Sequence, residues 1–430
     1  MRTHFLCAVA IGLGLAANVF AQPIIAPDDF PVKSPDPVPP IKSPDPVAPK
    51  IQAPPDASYL SACAREPRLW FTGDYLLWWT KGAPLPQPLI TAGSSGDPTP
   101  GALGQPNTRV IYGQGTADFG AFSGVRLGLG GWFDANRQWG AEASGFATGR
   151  NASRGAFSSD GTNDRALGQP FINPTTGEEA YSTSLNGVIA GSISASTSSQ
   201  LYGWELNLLR NVVRGDGGDL SMLVGFRHIG LIETLGVKST ILQLQPNILS
   251  FVGVPINMGD RIFTRDSFRA STNFYGPQIG GKVSFSKNRF GVDFIGKVAL
   301  GDSQEIYSLN GSTTLIPAAG GGNTTVPGGI LVQSTNSGRY FRDCFAVAPE
   351  ANLNLHYDVT SWARINLGYT FLFISNVARP GLAVDRTIDP GRVPSDQSFG
   401  LGTTTNSPGF IFRDAAYWAQ GINLGLSVRY

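Results

Sequence analysis

The spacing between its alternating segments constrains this chain more than any other feature. Stretches in which apolar and polar residues alternate fall at 69–80, 121–133, 138–148, 201–213, 219–231, 272–285, 289–300, 344–357, 361–374 and 417–430. The gaps between them are short and long in strict succession. Residues 134–137, 214–218, 286–288 and 358–360 make short polar connections, whereas 81–120, 149–200, 232–271, 301–343 and 375–416 are long and rich in Gly, Ser, Thr, Asn and Pro. A soluble sandwich has no reason to gather every long connection at one end. A bacterial outer-membrane barrel does, because its periplasmic turns are short, its outer loops are long, and an even number of strands leaves both termini on one side.

The alternation itself has a period of two. In the last segment Trp418, Gln420, Ile422, Leu424, Leu426, Val428 and Tyr430 share one face, while Gly421, Asn423, Gly425, Ser427 and Arg429 share the other. Phe290, Val292, Phe294, Val298 and Leu300 repeat the pattern against Gly291, Asp293 and Lys297. Successive strand residues point to opposite faces, so this is the mark of a wall with lipid on one side and a lumen on the other. Beyond the first residues no apolar run approaches the roughly 18 needed for a membrane helix, so membrane residence has to use strands. The composition agrees: 54 Gly, 25 Phe, 12 Tyr and 8 Trp beside only 15% charged residues suit extended, closely approached backbone. A net charge of +1, with no basic stretch interleaved with aromatics, leaves no electrostatic footprint for nucleic acid. The expected fold is all-β, a transmembrane antiparallel β-barrel of about 10 strands. Twelve is the alternative if an outer hairpin joins the wall, because Gln304–Leu309 and Ile330–Ser334 alternate too.

Three regions precede or make up this pattern. Met1, Arg2, Thr3 and His4, the apolar run Phe5–Ala17 and the small residues around Ala21 read as a signal peptide over 1–21, cleaved after Ala21. Residues 22–62 are Pro-rich and repeat Lys33-Ser34-Pro35-Asp36-Pro37-Val38 as Lys42-Ser43-Pro44-Asp45-Pro46-Val47. Proline fixes φ and removes donors, so the stretch reads as a stiff periplasmic spacer, either a tether toward peptidoglycan or an inert linker. Residues 63–430 form the expected barrel. Cys63 and Cys344 remain after Cys7 leaves with the signal, and their expected places near opposite ends of the barrel put them beyond disulfide reach.

Aromatic residues gather at the strand ends. Trp70, Phe71, Trp132, Phe133, Trp139, Tyr357, Trp362 and Tyr430 fall at the periplasmic ends, and Trp78, Trp79, Phe122, Tyr202, Trp204, Phe371 and Trp418 toward the other rim. Belts of this kind suit the headgroup level.

The run Arg68-Leu69-Trp70-Phe71-Thr72-Gly73-Asp74-Tyr75-Leu76-Leu77-Trp78-Trp79-Thr80-Lys81-Gly82, followed by Pro84-Leu85-Pro86 and Pro88-Leu89-Ile90-Thr91, resembles the opening of a planctomycete family of outer-membrane β-barrel porins. Gly124-Val125-Arg126-Leu127-Gly128, Gly131-Trp132-Phe133 and the final tyrosine continue the likeness to Tyr430. The resemblance implies a fold and an outer-membrane location in a Gram-negative-type envelope, with membrane lipid as surroundings, and carries over no catalytic or substrate residue. Leu424, Leu426, Val428 and Tyr430 also resemble the C-terminal signal of outer-membrane barrels. This implies the barrel assembly machinery as a folding partner, recognised through an exposed strand edge.

Alternation places Asp74, Glu142, Glu205, Asp293 and Glu350 in the lumen with Arg126, Arg227, Lys282, Lys297, Arg364 and Arg429. Balanced charges of this kind either line a weakly selective pore or pair across a narrow lumen and close it. The expected role is porin-like passive diffusion of small polar solutes, with a closed structural or surface-binding barrel as the alternative and an outer-membrane hydrolase as a third. Catalysis is not expected, since His228 and His356 fall at opposite ends of the barrel. His356 reads as a lumen wall residue, and His228, beside Arg227 with Glu233 downstream, as the better acid–base candidate. Gly128–Gly131 lies in a strand with no helix to cradle phosphate, Asp160–Asp164 lacks the spacing of a calcium loop, and no Cys–His cluster suggests zinc, so no cofactor or metal is expected.

Overall fold

The computed structural model describes residues 68–215, 217–401 and 405–430. The expected signal peptide, spacer and Cys63 lie outside these residues. In chain order the strands are β1 (Leu69–Thr80), β2 (Ala83–Ser94), β3 (Arg109–Ala117), β4 (Ala121–Trp132), β5 (Trp139–Thr148), β6 (Asn151–Ser159), β7 (Arg165–Asn173), β8 (Gly177–Ser184) and β9 (Ile189–Gly215). They continue with β10 (Gly218–Gln243), β11 (Ser250–Phe251), β12 (Val254–Pro255), β13 (Arg261–Lys287), β14 (Phe290–Ile316), β15 (Thr324–Pro327), β16 (Gly338–Asp358), β17 (Ala363–Ile374) and β18 (Tyr417–Arg429).

Ten of these close into an antiparallel ring in the order β1, β4, β5, β9, β10, β13, β14, β16, β17, β18. The seam joins β18 to β1 from Trp70 opposite Arg429 to Thr80 opposite Ala419. The period-two pattern fixes the register, because a slip of one residue would turn every lipid-facing side chain into the lumen. On β14, for example, Phe290, Phe294 and Leu300 are exposed on the outer face while Asp293, Lys297 and Ala299 are buried inside. β6 and β15 pair with β9 and β14 but stay out of the ring, so ten strands, not twelve, close the wall.

The wall is uneven in height. β9, β13 and β14 are 27 residues long and β10 is 26, whereas β1, β4 and β17 are 12 and β5 is 10. On the outer face of β13 the apolar band runs from Phe285 through Ile279 to Tyr275, then gives way to exposed Arg269, Arg265 and Arg261. The tall strands therefore leave the lipid band and continue into water. Much of what reads as long loop in the sequence is this extension. Its outward positions are polar, small on β9 where Ser192, Ser194 and Ser196 alternate with the buried Ile193 and Ala195. Gln304–Leu309 lies within β14, as its alternation suggests, but Ile330, Leu331 and Val332 are a buried turn outside any strand.

A separate four-stranded sheet, in the order β3, β2, β7, β8, packs against the inner face of the tall strands. Leu85, Leu89 and Ile90 of β2 and Leu167 and Phe171 of β7 share one core with Ile193, Leu235, Phe268 and Tyr307 of the wall. Ile330, Val332, Ala378 and Ile388 from the connections complete it. Each such side chain contributes about 1.5–3 kcal/mol by leaving water, which makes the outer end of the barrel a packed core in its own right.

Eleven of the fifteen expected belt aromatics keep outward positions, Tyr202, Tyr357 and Trp418 among them partly covered, and four turn inward. Phe71, Phe133, Trp139, Trp362 and Tyr430 are exposed at one rim, and Trp79, Trp204 and Phe371 at the other. Trp70 and Trp132 instead line the lumen with their rings 5.8 Å apart, and Trp78 and Phe122 are buried. Adjacent aromatics in a strand must face opposite ways, so each doublet gives the belt one ring and the interior the other.

Candidate functional site: the lumen

From the rim with the short turns, the lumen begins as a vestibule of about 400 Å³. All eleven charged residues assigned to the lumen line it: Asp74, Arg126, Glu142, Glu205, Arg227, Lys282, Asp293, Lys297, Glu350, Arg364 and Arg429. Near the mouth, Arg364 Nε donates to Asp358 Oδ1 at 2.7 Å, and Arg429 bonds the same oxygen. One step deeper Lys282 Nζ lies 3.8 Å from Asp293 Oδ2. Asp74 faces Arg126 in cross-strand register, and Glu142 accepts from Asn207 Nδ2 at 3.0 Å.

At the inner end of the vestibule the charges knit into a layer. Lys297 Nζ donates to Glu205 Oε1 at 2.7 Å and lies 3.4 Å from Glu350 Oε1. Arg227 bonds Glu350 and lies 3.2 Å from Glu205 Oε2. Arg126 completes the group 3.9 Å from Glu350. Uncharged side chains carry the network around the ring. Gln278 donates to Glu205 at 3.1 Å, Asn352 to Glu350 at 2.7 Å, Asn423 to Thr370 at 2.7 Å, and Trp78 Nε1 to Asn423 at 2.8 Å. Ser144 reaches Glu205 from β5 at 3.2 Å. Every wall strand thus supplies a member. Such a layer is tolerated in a low-dielectric interior because each charge is both paired and hydrogen-bonded.

Alternation marks the charged members and, on the last strand, Asn423. Gln278, Asn352 and Thr370 also sit at inward positions of their strands, and that placement is the signal that identifies them.

Immediately outward the lumen turns apolar. Leu76, Trp78, Leu201, Ile229, Phe274, Ala299, Ala346, Ala348, Leu372, Tyr417 and Ala419 form one buried cluster, none more than 1% exposed. Above it the connection between β17 and β18 enters the barrel. Its Arg379 Nε donates to Glu233 Oε2 at 2.7 Å with both side chains fully buried, and its Nη2 donates to the Gly82 carbonyl at 2.8 Å. The outer core described above follows.

His228 corrects the sequence reading. It alternates with Arg227, so the two lie on opposite faces of β10, and the His228 ring stacks on the lipid-side Tyr275 at 4.5 Å. Its Nδ1 is held by the Phe274 carbonyl at 3.0 Å. It shares no site with Arg227 or with the inward Glu233. His356 faces the lumen, as expected. Cys344 is a free thiol 3.5 Å from the Ser303 carbonyl. Among the described residues no group of three or more His, Cys, Asp or Glu side chains is arranged to hold a metal. The terminal strand exposes Leu424 and Leu426 on its outer face, and Tyr430 N donates to the Leu69 carbonyl at 2.8 Å across the seam.

A closed ring of strands with an apolar outer band, short turns at one rim, and charges turned to the interior along that band defines an outer-membrane β-barrel. Residues 70–430 match the family described as Putative beta barrel porin-7, and the chain belongs to that family. No curated protein sequence matches it. Among solved structures it is similar to the outer membrane protease OmpT from Escherichia coli, at 10% identity and TM-score 0.38, over 85% of this chain and 97% of that one. It is also similar to a Pseudomonas aeruginosa FadL homologue, at 8% identity and TM-score 0.22, over 85% and 90% of the two chains. Nothing of their activities is carried over to this chain.

Proposed function

We infer that the protein works as a closed barrel, an outer-membrane anchor that presents its packed outer end at the cell surface, and not as a channel for passive diffusion of small polar solutes. The observation that carries this reading is the buried apolar cluster around Trp78, Phe274 and Leu372, which lies between the vestibule and the outside. Ions crossing it would have to shed their hydration in an apolar constriction, and the Arg379-bearing segment stands behind it. The outer apolar band is suited to membrane lipid, and the edge bearing Leu424, Leu426, Val428 and Tyr430 to the barrel assembly machinery. The same reading gives the Pro-rich residues 22–62 the role of a tether to peptidoglycan, with an inert linker as the alternative.

Planar-bilayer recording on the refolded protein tests this, with a heat-dependent gel shift to verify folding and a known porin as positive control. Folded protein is expected to give no stable current steps. Steps whose selectivity moves toward cations in a Lys282→Glu, Lys297→Glu variant would establish the porin reading instead and overturn this one.

A further inference from the structure

We propose that Ser286, His356 and Asp293 form a nucleophilic site at the periplasmic rim, directed at carboxylic esters with an apolar acyl chain. Ser286 of β13 is paired with Gly291 of β14, and Gly291 is paired in turn with His356 of β16, so the three form one row on the lumen face. Gly291 has no side chain to separate its neighbours. A Cβ there would stand 2.2 Å from His356 Nε2. Across that gap Ser286 Oγ lies 3.4 Å from His356 Nε2. Asp293 is two residues along the middle strand on the same face, with its Oδ2 3.5 Å from His356 Nδ1.

The roles follow from which nitrogen faces which partner. The carboxylate beside Nδ1 favours the tautomer that leaves Nε2 free to accept the serine proton, and it stabilises the imidazolium that results. Ser286 Oγ and His356 Nε2 are at the long end of hydrogen-bond distance, and Nδ1, with Asp293 beside it, makes no hydrogen bond in this geometry; such contacts are often loose before substrate arrives. His356 is buried while Ser286 is exposed, so the base is held and the nucleophile is reachable. Both line an open cleft of about 690 Å³ whose other walls include Phe285, Phe290, Val292 and Leu355. Those four belong to the apolar outer face, so the cleft joins a polar reacting pair to the edge of the lipid band. An ester of an apolar acid, presented from the periplasmic leaflet, fits both halves.

In the reaction Ser286 Oγ bonds to the ester carbonyl carbon as its proton passes to Nε2. The acyl carbon–oxygen bond breaks, and the departing alcohol takes that proton. Water then attacks the acyl-serine through the same base, releasing the carboxylic acid and restoring the serine. This inference is independent of whether the barrel is closed.

The test is labelling of the folded, detergent-solubilised protein with an alkyl fluorophosphonate, with the modified peptide located by mass spectrometry and p-nitrophenyl octanoate hydrolysis followed in parallel. Label is expected on Ser286, with a rate lower by roughly 100-fold in His356→Gln and by about tenfold or more in Asp293→Asn. Gly291→Ala is expected to abolish labelling while leaving the heat-dependent gel shift intact. Folded wild-type protein that labels no faster at Ser286 than at other exposed serines, or a His356→Gln variant that labels at the wild-type rate, would overturn the proposal.

Discussion

Arg379 reaches from the β17–β18 connection into the barrel and meets Glu233 of β10, Nε to Oε2 at 2.7 Å, with neither side chain exposed. A contact of this kind is worth little as a net gain over apolar packing, but breaking it from one side strands a buried charge. Arg379→Ala is therefore expected to destabilise the protein by about 3–5 kcal/mol. It should also release residues 375–416 to trypsin, which would cut at Arg386 and Arg392. An Arg379→Met, Glu233→Leu double variant should recover most of the lost stability. Trypsin resistance unchanged in the single variant would mean that the pair does not hold the connection in place.

The pair Glu205 and Lys297 offers a second measurement, in the polar layer. Each single change, Glu205→Gln or Lys297→Met, leaves the other member of a 2.7 Å contact short of its partner. A double-mutant cycle on urea unfolding midpoints is expected to give a coupling of at least about 1.5 kcal/mol, within the range of close desolvated charge pairs. Additive losses would place the two charges in separate, solvated environments.

Asp266 supplies a pH dependence outside the lipid band. Its carboxylate accepts from the backbone N–H groups of Ile330, Leu331 and Val332 at 3.2, 3.1 and 2.8 Å. Gly329 lies so close that a Cβ there would meet Asp266 Oδ1 at 2.0 Å. Burial raises the carboxyl to about 6, and the three amide donors offset only part of that rise. An acid with a raised folded-state pKa binds protons more tightly when folded. Its contribution to stability is full below the unfolded value of about 3.9 and is lost as pH rises through about 6. The outer end of the barrel should accordingly resist urea better at pH 5 than at pH 7 by an amount that Asp266→Asn removes. An equal pH difference in Asp266→Asn would assign the effect to other groups. Gly329→Ala should loosen the same turn at both pH values.

The ring was legible because lipid demands strict alternation, and Phe290 to Leu300 of β14 has no other way to sit in a wall. Conditions change above the lipid band. There Ser192, Ser194 and Ser196 face water and only Ile193 and Ala195 face inward, so strand and loop have nearly the same composition. The four-stranded sheet was hidden for a related reason: β2 and β7 are partly apolar runs with prolines, and nothing local says that they fold back into the barrel mouth. Doublets such as Trp78–Trp79 mark a strand end but not which ring faces in. The lumen charges were readable one strand at a time. The row of Ser286, Gly291 and His356 was not, because it exists only once the register between three strands is known.

The polar layer has a consequence for how the chain completes itself. Asn423 on the last strand accepts from Trp78 of the first strand and donates to Thr370 of the penultimate one. Until β18 docks, these buried groups on both flanks of the gap lack their partner, and leaving them so costs roughly 1–3 kcal/mol each. Zipping the seam and satisfying the interior are thus a single event. A barrel that closes out of register by even one residue would put Asn423 toward lipid and leave the interior unsatisfied, so the layer acts as an internal proofreading device for the final step of assembly.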